Sequence, residues 1–151
     1  MTNMNLPVKH KNKKINLKGW GSEKVIHNNE KYCVKILSLR QGGTCSLHYH
    51  KRKEESFLVL SGKVELDFVL DGQETIMILE EGESVDIPPY VAHRFKALET
   101  SELLEASSQD LEEDDLIRIE AGDTQTLKRQ LPIGNREFTK WEEKCKSIIG
   151  N

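Results

Sequence analysis

The chain predicts an all-β fold of the sandwich or jelly-roll type. Three observations carry that prediction. Between about Tyr32 and Ile119 the apolar residues come in short, strand-length runs rather than at helical spacing. Those runs are separated by Gly, Pro or Asp-Gly at fairly regular intervals. No strand–helix–strand alternation appears, which disfavours a parallel α/β sheet.

Taken in order, the first 20 residues are polar and lysine-rich and read as a basic arm ending at Gly19-Trp20-Gly21. The stretch from Lys31 to Arg40 is rich in Val, Ile and Leu and reads as a strand. Val64, Leu66, Phe68 and Leu70 alternate with Lys63, Glu65, Asp67 and Val69, which is period two with one apolar face. Asp71-Gly72 then predicts a tight hairpin turn, and Thr75 to Leu79 the return strand. Val85 and Ile87 make a short strand stopped by Pro88-Pro89, because proline has no N–H for a ladder. Arg94 to Leu98 and Leu103 to Ala106 come next as strands. Past the barrel, Phe138, Trp141, Cys145 and Ile148 fall three or four apart, with Asn135 as a cap, so an amphipathic helix is predicted over about 135–149. The expected organisation is an arm at 1–20, a barrel at 21–122 and a C-terminal extension at 123–151.

With 151 residues the chain suits one domain. A charged fraction of 31% and a net charge of -3 give no case for a nucleic-acid partner, and no apolar run approaches a membrane span. The charge is uneven: residues 1–18 carry five lysines and no acid, and residues 110–115 carry Asp110, Glu112, Glu113, Asp114 and Asp115. Both runs read as solvated arms or loops. Cys33, Cys45 and Cys145 are odd in number and lack metal-type spacing, which points to free thiols and a cytoplasmic location.

The chemistry concentrates in Gly42-Gly43-Thr44-Cys45-Ser46-Leu47-His48-Tyr49-His50 and the residues downstream of it. His48 and His50 are two apart, so on a strand both imidazoles face one side. Glu55 opens the next strand beyond a short charged turn and can return a carboxylate to the same place. His93 offers a third imidazole at another strand start. Three imidazoles and a carboxylate converging are a divalent-metal ligand set; Zn, Fe, Mn, Co and Ni all suit it. His10 and His27 lack such company and read as ordinary surface or core residues.

The spacing Gly42-x5-His-x-His-x4-Glu-x6-Gly62 resembles the first cupin motif, and Gly82-x5-Pro-x4-His93 the second. Tyr90 stands where glycine is common in that pattern, and Ala97 where asparagine is. The resemblance implies a double-stranded β-helix, the cupin jelly-roll barrel, with the metal inside it. A narrower resemblance covers roughly residues 18–120. Trp20-Gly21, Tyr32-Cys33-Val34-Lys35, Val59-Leu60-Ser61-Gly62, His93-Arg94, Leu104-Glu105 and Glu113-Asp114-Asp115-Leu116-Ile117-Arg118 look like the type II mannose-6-phosphate isomerase domain. The likeness is to that cupin domain, not to the guanylyltransferase half often fused to it. His48 replaces a glutamine of that family.

What the resemblance implies is a metal-dependent aldose–ketose isomerase acting on a phosphorylated or nucleotide-linked sugar. Glu105 is the expected base, Lys35 and Tyr32 further pocket residues, and Lys51, Arg52 and Lys53 the expected phosphate contacts. A sugar- or metabolite-binding cupin without turnover and an iron-dependent dioxygenase are the alternatives, since the same ligand set serves dioxygenases. A homodimer is expected, built on the arm and the C-terminal helix.

Overall fold

The computed structural model describes residues 6–11 and 14–122. Eleven strands form two antiparallel sheets. They are β1 (Lys14–Lys18), β2 (Gly21–Asn28), β3 (Cys33–Leu39), β4 (Leu47–His50), β5 (Glu55–Ser61) and β6 (Lys63–Leu70). After these come β7 (Gln73–Glu80), β8 (Ser84–Ile87), β9 (His93–Ala97), β10 (Ser101–Ser107) and β11 (Leu116–Glu120). One sheet runs β1-β2-β3-β10-β5-β8 and the other β11-β4-β9-β6-β7. The expected all-β jelly roll is therefore what forms. A 3-10 turn at Glu112–Asp114 is the one helical element among the described residues. No described helix is long and apolar enough to cross a membrane.

The core lies between the sheets because each central strand buries alternate residues. In β3, Cys33, Lys35, Leu37 and Leu39 are all buried and point one way. Leu37, Leu39, Phe57, Val59 and Leu103 from one sheet meet Val64, Leu66, Leu79, Phe95 and Ala97 from the other. Phe57 and Phe95 meet edge to face at 4.8 Å, a favoured aromatic geometry. Asp71 and Gly72 both have positive φ, 50° and 75°, as the two central residues of a type I′ turn require. At Gly62, φ is +88° and a Cβ would stand 2.2 Å from Ser101 Oγ, so only glycine fits between β5 and β6. Cys33 and Cys45 are buried, unpaired packing residues, and burial pushes the Cys45 thiol up to about 12, which leaves it unreactive.

Two differences from the sequence reading concern the front of the chain. Lys14–Lys18, inside the expected arm, is an edge strand on β2, and β2 itself is a full strand that the sequence did not announce. β1 is mostly exposed and β2 is mostly polar and partly buried along its length, so neither shows an apolar period. The helix expected at 135–149 lies outside the described residues.

Candidate metal centre

Local backbone chemistry brings four side chains together. His48 and His50 alternate with Leu47 and Tyr49 on β4, so both rings enter the barrel. β4 pairs with β9, where His48 sits opposite His93. β5 begins at Glu55 after the turn of residues 51–54. Ring centroids of His48 lie 5.1 Å from His50 and 4.8 Å from His93. Glu55 stands between two of the rings, with Oε1 at 3.3 Å from His50 Nε2 and Oε2 at 3.0 Å from His93 Nε2. All four expected ligands are thus side by side. His50, Glu55 and His93 are buried as whole residues.

Three imidazoles and a carboxylate are donor types that divalent metals take. His93 Nδ1 is 2.8 Å from the Val91 carbonyl and His48 Nδ1 is 3.0 Å from the Ser46 carbonyl. A carbonyl only accepts, so the His93 ring carries a proton on Nδ1 and points its Nε2 at Glu55, while His48 Nδ1 lies between the Ser46 carbonyl and the Ser46 hydroxyl, 2.9 Å away; a ring held through Nδ1 in this way is oriented as metal-bound histidines are. Burial and the neighbouring His93 hold His48 well below the usual imidazole range, so it is neutral and ligand-competent. Burial alone would raise the Glu55 carboxyl, but His50 and His93 beside it hold it well below the carboxylate range. Glu55 Oε2 makes no aligned hydrogen bond although His93 Nε2 is 3.0 Å away, and neither does His50 Nδ1, which has Asp115 Oδ2 at 3.7 Å. Buried polar atoms left so are uncommon and call for a further partner. As placed, no group of three or more His, Cys, Asp or Glu among the described residues has the geometry to hold a metal ion. Here the Glu55 carboxylate lies against the two Nε2 atoms.

Around this cluster runs a buried ion-pair chain that the sequence did not show. Lys53 Nζ lies 3.2 Å from Glu55 Oε1, 2.9 Å from Glu105 Oε2 and 3.9 Å from Asp110 Oδ2. Lys35 Nζ pairs with Glu23 at 2.9 Å and also with Asp110. As ions these are four carboxylates against two ammoniums, an excess of two negative charges that one divalent cation would neutralise. Burial pushes the Glu105 carboxyl up, with Lys53 opposing and Glu55 reinforcing that shift.

The expected phosphate contacts separate. Lys51 and Arg52 are exposed, whereas the Lys53 side chain is only 3% exposed and points inward. Asp115 explains the difference. Its Oδ1 accepts from the Arg52 N–H at 2.8 Å and its Oδ2 from the Lys53 N–H at 3.0 Å, which fixes the turn. The acidic run at 110–115 is therefore not a solvated loop throughout. Asp110 and Asp115 are its working members, drawn in because buried lysines and turn amides need acceptors. Tyr32, an expected pocket residue, is about half-exposed with its ring 5.0 Å from His27.

A jelly-roll barrel with a His-x-His, Glu and His cluster inside one end defines a cupin. Residues 6–121 match the family described as Mannose-6-phosphate isomerase C-terminal, and the chain belongs to that family. It is similar to the xanthan biosynthesis protein XanB of Xanthomonas campestris, 36% identical over 104 residues that cover 67% of this chain and 21% of that one. A mannose-1-phosphate guanylyltransferase of Salmonella muenchen is 35% identical over 104 residues, again 67% of this chain and 21% of the other. The chain thus spans about a fifth of the length of these relatives. Among solved structures, oxalate decarboxylase from Bacillus subtilis superposes with a TM-score of 0.64 at 20% identity, over 70% of this chain and 30% of that one. KdgF from Halomonas sp. gives 0.57 at 18% identity, over 69% and 90%. At such identities the likeness shows the fold.

Proposed function

We propose that the protein holds one divalent metal ion on His48, His50, Glu55 and His93 and acts on a phosphorylated or nucleotide-linked sugar as an aldose–ketose isomerase. The observation that carries the metal reading is the buried convergence of His50 and His93 on Glu55, with the His48 ring against both imidazoles, beside an ion-pair chain of four carboxylates on two ammoniums. The sugar-phosphate reading draws on the family and on relatives named as mannose-1-phosphate guanylyltransferases. A solved neighbour, the Bacillus subtilis oxalate decarboxylase, is described with Mn(II) centres, which fits the same kind of ligand set.

A bound divalent ion supplies Lewis acidity toward a carbonyl oxygen. Glu105 moves the proton between adjacent sugar carbons. Its buried carboxyl is pushed up, the direction in which a carboxylate gains basicity for work near neutral pH. Lys35 and Asp110 hold the ion-pair chain beside Glu105 in place. Lys51 and Arg52, exposed in the turn between ligands, bind phosphate. The molecule works as a homodimer, and a monomer by light scattering at micromolar concentration would end that claim.

The test is proton NMR of metal-loaded protein with mannose 6-phosphate in heavy water, beside His50→Ala. Fructose 6-phosphate carrying deuterium at carbon two, absent in the variant, is the expected result. No turnover with any of the five metals discards mannose 6-phosphate as substrate. One observation favours a second reading, a binding cupin without turnover: Lys35 and Glu105, the expected catalytic pair, are each engaged in ion pairs. Saturable sugar-phosphate binding without exchange of deuterium into the sugar supports it.

A further inference from the structure

We infer that Lys53 is a positioning residue that sets the affinity of the metal centre, acting as a resident counter-ion for Glu55 that an incoming cation displaces. The inference rests on the metal reading above and adds to it a residue outside the ligand set.

The geometry is specific. Glu55 Oε1 is shared: His50 Nε2 stands 3.3 Å from it on one side and Lys53 Nζ 3.2 Å on the other. Both side chains of the Lys53–Glu55 pair are within 3% of full burial, so water screens their attraction little. A carboxylate so paired is a poorer ligand, because coordination has to replace an existing charge–charge contact. Lys53 can nevertheless give Glu55 up. Its ammonium is 2.9 Å from Glu105 and 3.9 Å from Asp110, so it keeps anionic partners when Glu55 turns to another cation. The ammonium cannot leave for solvent as the exposed Lys51 and Arg52 can. Asp115 clamps the amides of Arg52 and Lys53 and Ser108 Oγ accepts from the Glu54 N–H at 3.0 Å, so the turn aims Lys53 inward. The inner end of the barrel therefore carries its own monovalent substitute, which keeps Glu55 compensated in the metal-free protein.

The experiment is calorimetric titration of full-length, chelator-treated protein with Zn(II) and with Mn(II), paired with the melting temperature of the metal-free form. Lys53→Met is expected to tighten metal binding at least about tenfold while lowering the metal-free melting temperature, since an ion-pair partner next to a ligand is gone. Lys53→Arg keeps the charge and is expected to restore affinity to within a few-fold of wild type. The double variant Lys53→Met/Glu105→Gln removes one charge of each sign, keeps the net charge of the cluster, and guards against a Lys53→Met protein that does not fold; it too is expected to bind metal more tightly. A purely structural lysine would lower the melting temperature and leave the affinity of the folded variants unchanged, and that result overturns the inference. So does a double variant that binds like wild type, which would make the effect one of total charge. If wild type and every variant alike take up no metal, the metal reading itself has failed, a different and recognisable outcome.

Discussion

The two ends of the barrel interior are built on the same strands yet obey different rules. On β3, Leu37 and Leu39 lie at one end and Cys33 and Lys35 at the other; in the same sense β5 carries Val59 then Glu55, β10 Leu103 then Glu105, and β9 Phe95 and Ala97 then His93. The register holds the ends apart, since Leu39 pairs with Ser101 while Lys35 pairs with Glu105. One end gains from removing apolar surface from water, at roughly 25 cal/mol per Å². The other buries ions, which costs free energy unless every charge is paired. The apolar end makes the fold, and the charged end uses the rigidity so gained to hold groups that would not stay together in water.

The sharpest way to break this division is to exchange the expected effects. Leu103→Ala, at a residue with no exposed surface, is expected to cost about 3 kcal/mol in urea unfolding, from lost transfer energy plus a cavity. It should leave metal stoichiometry at one. His50→Ala and His93→Ala should do the reverse, each abolishing stoichiometric metal by elemental analysis while the β-rich circular dichroism spectrum persists. Retained metal in both would remove the ligand assignment, and a collapsed fold in either would show that the two ends are not separable.

A middle-sized effect concerns Asp115. It is buried and accepts from two backbone amides of the turn that carries Lys53. Asp115→Ala leaves those donors unpartnered and is expected to cost about 1–3 kcal/mol in the same unfolding assay. Because that turn also leads into Glu55, metal affinity should weaken together with stability. Weakened stability with unchanged affinity would confine Asp115 to the fold.

Legibility in the sequence divides along the same line. The apolar end is written locally: the period-two pattern of β6, the Asp71-Gly72 turn and the Gly62 spacing can be read from neighbouring residues, and each corresponds to an observed element. The imidazoles were legible because His48 and His50 share a strand and His93 has a recognisable surround. The ion-pair chain was not. Lys35 meets Asp110 across 75 positions and the Lys53 amide meets Asp115 across 62, and no local pattern encodes such pairings. A lysine in a basic turn looks solvated until the residue that turns it inward is known. The edge strand β1 and its neighbour β2 escaped for the opposite reason: neither buries alternate residues fully enough for a pattern to form.

A smaller effect tests the electrostatics of the charged end through pH. Burial alone would raise the Glu23 and Asp110 carboxyls, but Lys35 beside Glu23, and Lys53 and Lys35 beside Asp110, hold both below the usual carboxylate range. Their contribution to stability is present above the ordinary value near ~4 and is lost as pH falls through the depressed folded values. Glu105 has the opposite sign. Its folded value is raised by burial, so its contribution is complete below the ordinary value and is lost as pH rises through the raised one. Metal-free protein should therefore lose stability on both sides of an optimum. Glu105→Gln should flatten the alkaline side alone in urea titrations run with a chelator. An unchanged slope there would mean that Lys53 compensates Glu105 fully.

The smallest expected effect lies in the loop before His93. Tyr90 has φ of +67°, a left-handed conformation that costs a side-chain-bearing residue about 1–2 kcal/mol. It sits at the position where the cupin pattern commonly has glycine. Its N–H donates to the His50 carbonyl at 2.7 Å, so the bend joins two ligand-bearing segments. Its exposed ring stacks on Tyr49 at 6.0 Å, which offsets part of the strain. Comparing Tyr90→Ala with Tyr90→Gly separates the two terms, since both remove the ring and only glycine relieves the backbone. Tyr90→Gly is expected to be more stable than Tyr90→Ala by about 1 kcal/mol in chemical denaturation. Equal stabilities would mean that the loop relaxes out of the left-handed region once the ring is gone. The strain would then be imposed by the Tyr49–Tyr90 stack rather than by the hydrogen bond that holds this loop against His50.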